Sequence, residues 1–256
     1  MAVQGGLMKI AVVGGTGTVG RHVVGTLDRA GVEHVVVARS RGIDVVLGAG
    51  LAEAFAGVDT VIEVGNIITF RRSAAARYFR TAGRHIAEAE RAAGVGHHVC
   101  LSIIGCDRVD FGYLGAKLVQ ESTAITSGVP WTILRASQFF EFAGQILLQL
   151  KAPIVVAPRV PIQPVAAADV ADELVRLALA GPASMAPELA GPEPMELPDL
   201  LRRVQRERDD TRRLLAFTVP GAQGAALAKG ALLPAPDGRR GRTDLDAWLA
   251  AGGARQ

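Results

Sequence analysis

A tyrosine and a lysine four positions apart, Tyr113 and Lys117, are the residues of this 256-residue chain whose types and spacing most directly suggest catalysis. Residues at i and i+4 share one face of a helix. A phenol with a pKa of about 10 transfers protons poorly near neutrality, and a nearby ammonium favours the phenolate. The pair is therefore either a proton donor with its electrostatic partner or an amphipathic tyrosine and a lysine on an ordinary helix.

The strands and helices that position this pair are predicted from the sequence pattern. Short apolar runs alternate with helical patterns over the first two-thirds of the chain. Strands alternating with helices at this spacing specify a parallel sheet with helices on both faces. The predicted fold class is therefore α/β, a Rossmann-type doubly wound parallel sheet. The predicted strands are 8–14, 34–39, 57–65, 97–104 and 129–136, and the predicted helices are 18–30, 74–93 and 113–127.

The last part of the chain has a less regular pattern. Helices are predicted at 139–150 and 166–179, and prolines and glycines then become frequent. We predict that residues 1–150 form the core of this sheet. Residues 151–256 are predicted to complete the sheet and form a small substrate-side cap, with the whole chain in one compact unit.

A glycine-rich segment, VVGGTGTVGR at 12–21, follows the first predicted strand and opens the first predicted helix. Glycine permits a tight turn, close approach of the backbone to a pyrophosphate and close helix–strand packing. The N–H groups at the helix start then bind the anion. A merely structural turn is the alternative. The predicted cofactor contacts in this segment are Gly14, Thr16, Gly17, Thr18, Val19 and Gly20.

The residues after the second predicted strand, Arg39, Ser40 and Arg41, predict the choice of cofactor. An NAD site usually has an acidic residue here for the ribose 2′-hydroxyl, and Asp44 lies too far along the chain. A guanidinium can bind a 2′-phosphate through two hydrogen bonds, and a hydroxyl can add another. NADP(H) is therefore predicted over NAD(H), with solvated loop arginines as the alternative.

Composition argues against several other classes of function. The net charge is +3, and the arginine-rich run LRRVQRERDDTRR at 201–213 is interrupted by acids and lacks aromatics, which favours a solvated helix face over a nucleic-acid surface. Cys100 and Cys106 have no second pair. His97 and His98 are adjacent at the predicted start of a strand, so no metal site is predicted.

The expected setting of the protein is the cytoplasm. The chain has no apolar run of about 18 residues, and its start lacks the layout of a signal peptide. We expect a small-molecule substrate, no nucleic-acid or membrane partner, and a monomer or homodimer.

Several further segments carry a family resemblance: GVDTVI, HHVCLSIIG, YLGAK and SGVPWTILRASQFFEF, and later QPVAAADVADEL and LAGPEPMEL. Together with GGTGTVGR, they make the chain resemble the NmrA-like, NAD(P)-binding group of atypical short-chain dehydrogenases/reductases. The resemblance spans nearly the whole chain. It implies the Rossmann-type fold and NAD(P) binding, in a group that includes both reductases and cofactor-binding proteins without known chemistry.

The resemblance also implies roles for individual residues. Tyr113 would be the acid, Lys117 would bind the nicotinamide ribose, and Ser102 would align the substrate carbonyl. The spacing from Ser102 to Tyr113 does not match the usual serine spacing, and much of the group lacks the tyrosine. The residues expected to flank the cofactor are Gly65, Asn66, Ala136 and Ser137.

Aromatic residues after the strand at 129–136 suggest an apolar pocket for a flat substrate, formed by Phe139 and Phe140, with Phe142 and Trp131 nearby. Core packing explains them equally well. The resulting hypothesis is an NADPH-dependent oxidoreductase that reduces a carbonyl or quinone of a small, apolar or aromatic substrate. The alternatives are a catalytically silent NADP(H) sensor and an epimerase that retains its cofactor.

Overall fold

A computed structural model of the chain describes residues 8–67, 69, 71–109, 113–150 and 152–255. Contacts divide the chain into two compact units. The first comprises Met1–Ser102, Gly115–Leu134 and Ala171–Ala186, and the second comprises Ile103–Leu114, Arg135–Val170 and Pro187–Gln256. Segments of the two units therefore alternate along the sequence, and the predicted boundary at residue 150 within one compact unit stays a prediction.

Helices and strands alternate through the first two-thirds of the described residues. The strands are β1 (Lys9–Val13), β2 (Glu33–Val37), β3 (Thr60–Glu63), β4 (His97–Ile103), β5 (Trp131–Ala136), β6 (Ile154–Pro158), β7 (Pro161–Ile162), β8 (Ser184–Met185), β9 (Leu189–Ala190), β10 (Met195–Glu196), β11 (Arg213–Phe217) and β12 (Arg239–Arg240). The helices are α1 (Thr18–Ala30), α2 (Leu51–Phe55), α3 (Arg72–Ala93), α4 (Tyr113–Ile125), α5 (Phe140–Gln149), α6 (Ala167–Ala180), α7 (Leu197–Glu207), α8 (Gly221–Ala228) and α9 (Leu245–Ala250).

The first unit is built on a sheet in which β2, β1, β3, β4 and β5 lie side by side in that order. The pairs β1–β2, β1–β3 and β3–β4 are parallel, and β8 pairs in parallel with β5. The strand after β1 lies on one side of it and the next strand lies on the other. The order of the chain thus reverses at β1, and ligands of such sheets bind at the carboxyl ends of the strands beside this point.

Burial explains why these segments form a sheet covered by helices. Residues 10–13 of β1 are at most 2% exposed, as expected for a strand buried on both faces. The covering helices α1 and α3 are amphipathic, and each ends at a glycine with positive φ, Gly31 after α1 and Gly94 after α3. The predicted α/β, Rossmann-type fold is confirmed.

The second unit has its own apolar core, formed by α5, α7, α9 and the strands β6 and β7. Phe140 is 1% exposed in this core, and its ring centroid lies 5.5 Å from that of Trp248. The last residue of β5, Ala136, pairs with Leu189 of β9, and β9 pairs in parallel with β12. Strands β6 and β11 form a separate parallel pair.

The predicted elements agree with the structure to within a few residues, and most of their bounds differ by one to three residues. The strand predicted at 57–65 is limited to Thr60–Glu63, because the chain turns at Gly57, where φ is +70°. Helix α3 begins at Arg72, two residues before the prediction. Among the described residues, no helix is both long enough and apolar enough to cross a membrane.

Candidate dinucleotide-binding site

The turn between β1 and α1 is compact because glycines occupy positions where a side chain would collide with backbone. Gly14 has φ +84°, and a Cβ on it would lie 2.7 Å from the Cα of Gly65 after β3. A Cβ on Gly20 would collide with the carbonyl oxygen of Gly14. The glycine turn, by which we mean residues 14–20, therefore packs directly against the end of β3.

Helix α1 begins within this turn, at Thr18. Its N-cap is Gly17, with no side-chain capping bond and no acidic residue in the first turn. Uncapped N–H groups and the positive end of the helix dipole favour an anion. The start of α1 follows β1, beside the point where the strand order reverses. Compact glycines, an uncapped helix and this location fit a dinucleotide pyrophosphate.

The residues predicted to select NADP(H) form a short 3-10 turn, Arg39–Arg41, directly after β2. All three are exposed, and the described residues offer the side chains of Arg39 and Arg41 no hydrogen bond or ion pair. Asp44 instead accepts hydrogen bonds from the backbone N–H groups of Val46 and Leu47, so its carboxylate closes its own loop.

A tyrosine that no sequence motif indicated, Tyr78, lies beside Gly65 at the end of β3. A Cβ on Gly65 would lie 3.5 Å from the hydroxyl of Tyr78, which is half-buried on α3. Asn66, the next residue, is exposed, and its Oδ1 accepts from the N–H of Ile67. The sequence signal that could have identified Tyr78 is its position in the first half of the helix that follows β3.

Tyr113 is the first residue of α4 and is half-buried. Lys117, one turn later, is 4% exposed, and its Nζ donates to the carbonyl of Leu101 at 2.7 Å and to Oε1 of Gln120. The same ammonium lies 5.0 Å from the ring centroid of Phe79. The lysine is therefore held by interior groups of the first unit.

Ser102, near the end of β4, is also interior. It is 1% exposed, and its hydroxyl donates to Oε1 of Glu121 at 2.6 Å. The bond links the β4 serine to the helix that carries Lys117. Neither contact tests the catalytic roles predicted for Ser102, Lys117 and Tyr113, which stay predictions.

Four of the predicted site residues lie in the second unit, at the end of β5 and just after it. Ala136 and Ser137 are buried, and the Ser137 N–H donates to the carbonyl of Leu189. Phe139 is half-buried, while Phe140 belongs to the core of the unit. The pocket role of the two phenylalanines and the cofactor role of Ala136 and Ser137 stay predictions.

Behind the carboxyl end of β3 lies a buried charge network, which we define as Glu63, Glu90 and His98. His98 Nδ1 lies 2.5 Å from Oε1 of Glu90, and Nε2 lies 3.3 Å from Oε2 of Glu63, although this second contact lacks hydrogen-bond geometry. The three side chains are at most 4% exposed. The imidazole therefore lies between two carboxylates.

Electrostatics favours the fully charged form of this network. Burial alone opposes a charge on His98, but the Glu90 carboxylate and the bonding around the ring raise the pKa of His98 well above its ordinary value. Burial likewise acts to raise the pKa of Glu63, yet the close contact with the charged His98 ring brings it below the ordinary value. An imidazolium between two carboxylates results.

The described residues also place Cys100 beside this network, and ligand atoms of Glu63, His98 and Cys100 lie within 4.8 Å of one another. Burial, together with the charge of Glu63, raises the pKa of the Cys100 thiol. A protonated imidazole has no lone pair for a metal, and a protonated thiol is a poor ligand. The contacts therefore describe ion pairing, and the predicted absence of a metal site stays a prediction.

Comparison with known proteins bears directly on this site. A model of a family described as NAD(P)H-binding matches residues 14–179, which include the glycine turn, the arginines after β2, and α4. The match confirms the resemblance that the sequence motifs indicate.

A curated relative is the (4-alkanoyl-5-oxo-2,5-dihydrofuran-3-yl)methyl phosphate reductase of Streptomyces griseus subsp. griseus. It is 29% identical over 238 residues, which cover 86% of this chain and 81% of the relative. The similarity thus extends over most of both proteins.

Solved structures share the fold. A UDP-glucose 4-epimerase from Thermotoga maritima, solved with UDP-glucose, has a TM-score of 0.70 at 16% identity, covering 94% of this chain and 96% of that one. An NADPH-dependent quinone oxidoreductase from Escherichia coli has a TM-score of 0.68 at 20% identity, covering 95% and 99%. At these identities the comparison shows the fold alone.

Proposed function

Because the chain belongs to the NAD(P)H-binding family, we propose that it is an NADPH-dependent oxidoreductase that reduces a carbonyl or quinone of a small, apolar or aromatic substrate. The observation that carries this proposal is the compact glycine turn against Gly65, with an uncapped helix at its outer side. NADPH, when bound, supplies the hydride, and the protein supplies binding, orientation and electrostatics.

The residues proposed to hold the cofactor lie at the carboxyl ends of β1, β2 and β3. The N–H groups at the start of α1 bind the pyrophosphate. Arg39 and Arg41 have no protein partner among the described residues, so their guanidinium groups are free to bind a 2′-phosphate, with Ser40 adding a hydroxyl. Gly65, against which the glycine turn packs, is proposed to flank the cofactor.

The proposed selectivity can be measured directly. We expect NADPH to bind at least about tenfold more tightly than NADH, the effect of one charge-assisted contact to phosphate. Replacing Arg39 with alanine should remove most of this difference, whereas the exposed Arg202→Ala serves as a control in the second unit. Titration of both cofactors decides the matter, and equal affinities in the wild type would contradict the proposal.

The proposed proton donor is Tyr113, with Lys117 one helical turn later as its electrostatic partner. The bonds to Leu101 and Gln120 hold the lysine ammonium in position, and its positive charge favours the phenolate that remains after proton transfer. Ser102 is proposed to align the substrate carbonyl. In this structure its hydroxyl proton is donated to Glu121.

The relatives suggest which substrates to test first. The Streptomyces reductase acts, by its name, on an alkanoyl-substituted dihydrofuranone that carries a methyl phosphate, and the Escherichia coli structure is that of a quinone oxidoreductase. A panel of simple ketones, quinones and acyl-dihydrofuranone phosphates therefore covers the chemistry that the proposal includes.

The second candidate function is a catalytically silent NADP(H) sensor. The observation that favours it is that both Lys117 and Ser102 are buried and bonded to protein groups. Such a protein would bind NADPH and consume none of it with any substrate of the panel.

The deciding experiment follows NADPH absorbance with this panel for the wild type and Tyr113→Phe. The variant keeps the ring, so its NADPH affinity should be unchanged, while ketone reduction should fall by about 10²–10⁴-fold for loss of a positioned acid. A quinone should show a smaller loss, because its reduced product is a stabilised anion. Lys117→Met should lose activity, and the exposed Lys229→Met should not. Ketone reduction by Tyr113→Phe at the wild-type rate would contradict the proposed acid.

A further inference from the structure

The other tyrosine of the chain, Tyr78, lies at the carboxyl edge of the sheet in the first unit. Its hydroxyl is 3.5 Å from the position that a Cβ of Gly65 would occupy, and Gly65 in turn lies against Gly14. Any side chain at position 65 would therefore touch the phenol. The hydroxyl therefore lies beside the same glycine that contacts the turn.

The hydroxyl of Tyr78 has no hydrogen-bond partner among the described residues, although its ring is half-buried and packs edge-on against Phe79, with centroids 5.3 Å apart. Buried phenols usually find a partner for the O–H. Burial and then the charge of Glu63 raise the pKa of Tyr78 to about 12. The group therefore remains a hydrogen-bond donor throughout the physiological range and is unsuited to act as a general acid.

The charged groups that act on this donor include Glu63 and Arg39. After burial and Glu63, the next influence on the pKa of Tyr78 is the Arg39 guanidinium, which lowers it. Arg39 follows β2, where the ribose of the adenosine half binds in folds of this type. The hydroxyl therefore lies beside Gly65 at the end of β3, within electrostatic range of the residue proposed to select the 2′-phosphate.

We propose that the hydroxyl of Tyr78 donates a hydrogen bond to the adenosine half of the bound dinucleotide. This inference rests on dinucleotide binding by the family and is independent of the reductase chemistry. The two tyrosines of the chain then have separate tasks: Tyr78 contributes to the affinity for cofactor, and Tyr113 contributes to turnover.

The test is a direct fluorescence titration of NADPH into the wild type, Tyr78→Phe and Tyr113→Phe. Both variants lose one hydroxyl and keep the ring, so each is the matched control of the other. We expect Tyr78→Phe to weaken NADPH binding by about three- to tenfold, the usual net effect of one hydrogen bond. Tyr113→Phe should bind as the wild type does. Equal binding by Tyr78→Phe and the wild type would overturn the proposal.

A fragment titration assigns the contact to one half of the cofactor. With 2′,5′-ADP as the probe, Tyr78→Phe should show the same fold-loss as with NADPH. A loss seen with NADPH and absent with 2′,5′-ADP would overturn the adenosine assignment. Melting temperatures show whether the variants fold. Wild-type protein that binds NADPH and reduces no substrate would contradict the proposed reductase, while leaving the Tyr78 comparison fully interpretable.

Discussion

The glycine turn and the buried charge network lie at neighbouring strand ends of the first unit, yet they are built in opposite ways. The turn can form because Gly14 and Gly20 have no side chain, and the start of α1 has no side-chain cap. The network depends on side chains, Glu63, Glu90 and His98, that are buried and pair with one another. One region leaves a helix start without a side-chain cap, while the other pairs its polar side chains with one another.

This difference separates the two regions energetically. A buried charge that loses its partner keeps its desolvation penalty, so breaking such a pair destabilises a protein by about 3–5 kcal/mol. A side chain added at an exposed position of the turn, such as Gly17, mainly obstructs whatever binds there. Substitutions in the network should therefore act on folding, and a substitution at Gly17 should act on cofactor binding.

The largest effect is expected for Glu90→Ala, which leaves the His98 imidazolium without one of its carboxylates. The free energy of unfolding should fall by about 3–5 kcal/mol, measured by urea denaturation. Glu88→Ala on the same helix is the control. Glu88 is 51% exposed and pairs with Arg84, so its removal should cost less than about 1 kcal/mol. If the two variants lost similar amounts of unfolding free energy, the buried network would be no more important for stability than the exposed pair.

A smaller effect, on binding, is expected for Gly17→Val. The residue is exposed with φ −78°, and its Cβ would meet only the Gly14 carbonyl oxygen, at 3.2 Å, so the fold should survive. NADPH affinity should fall by about ten- to a hundredfold, because the side chain obstructs approach to the pyrophosphate. Gly25→Ala inside α1 is the control and should bind normally. Normal NADPH binding by Gly17→Val would show that the turn does not hold the cofactor.

The smallest effect is a pH dependence of stability that belongs to the network alone. Since the pKa of His98 is raised in the folded state, its stabilisation is complete below about pH 6.5 and is lost as the pH rises through the folded value. Stability should then fall by at most about 1.4 kcal/mol per pH unit. Glu63 acts in the opposite direction. Because its pKa is lowered in the folded state, its stabilisation is lost as the pH falls below about 4.5.

Urea denaturation between about pH 6 and 9 measures this slope. His98→Gln should abolish it. His97→Gln should retain it, because burial lowers the pKa of His97 and its contribution is lost only as the pH falls. An unchanged slope in His98→Gln would assign the pH dependence to other groups.

The glycine turn could be predicted from the sequence, and the charge network could not. A turn between a strand and a helix is local, so VVGGTGTVGR contains its own explanation. The network joins residues from β3, α3 and β4, so no spacing pattern within one segment predicts it. One signal was available: Glu90 occupies the apolar stripe of α3, in register with Phe79, Gly83 and Ile86. An acid at such a position predicts a buried partner.

The residues proposed for catalysis show where helical spacing stops being informative. The spacing of Tyr113 and Lys117 predicts a shared helix, and α4 contains both. It does not predict that the lysine ammonium bonds to Leu101 of β4, or that Tyr78 lies beside Gly65. Those contacts depend on how α3 and α4 pack on the sheet, which follows from tertiary packing of buried faces rather than from any local pattern.

The alternation of the two units along the chain has a consequence for synthesis on the ribosome. The first unit is completed only when Ala171–Ala186 is available, including the part of α6 in which Asp172 accepts a hydrogen bond from Thr26 of α1 at 2.8 Å. At about 5–20 residues per second, this segment follows the glycine turn by on the order of ten to thirty seconds. The nascent chain therefore exposes the cofactor-binding sheet, with an incomplete helical cover, for a period in which chaperones can bind it.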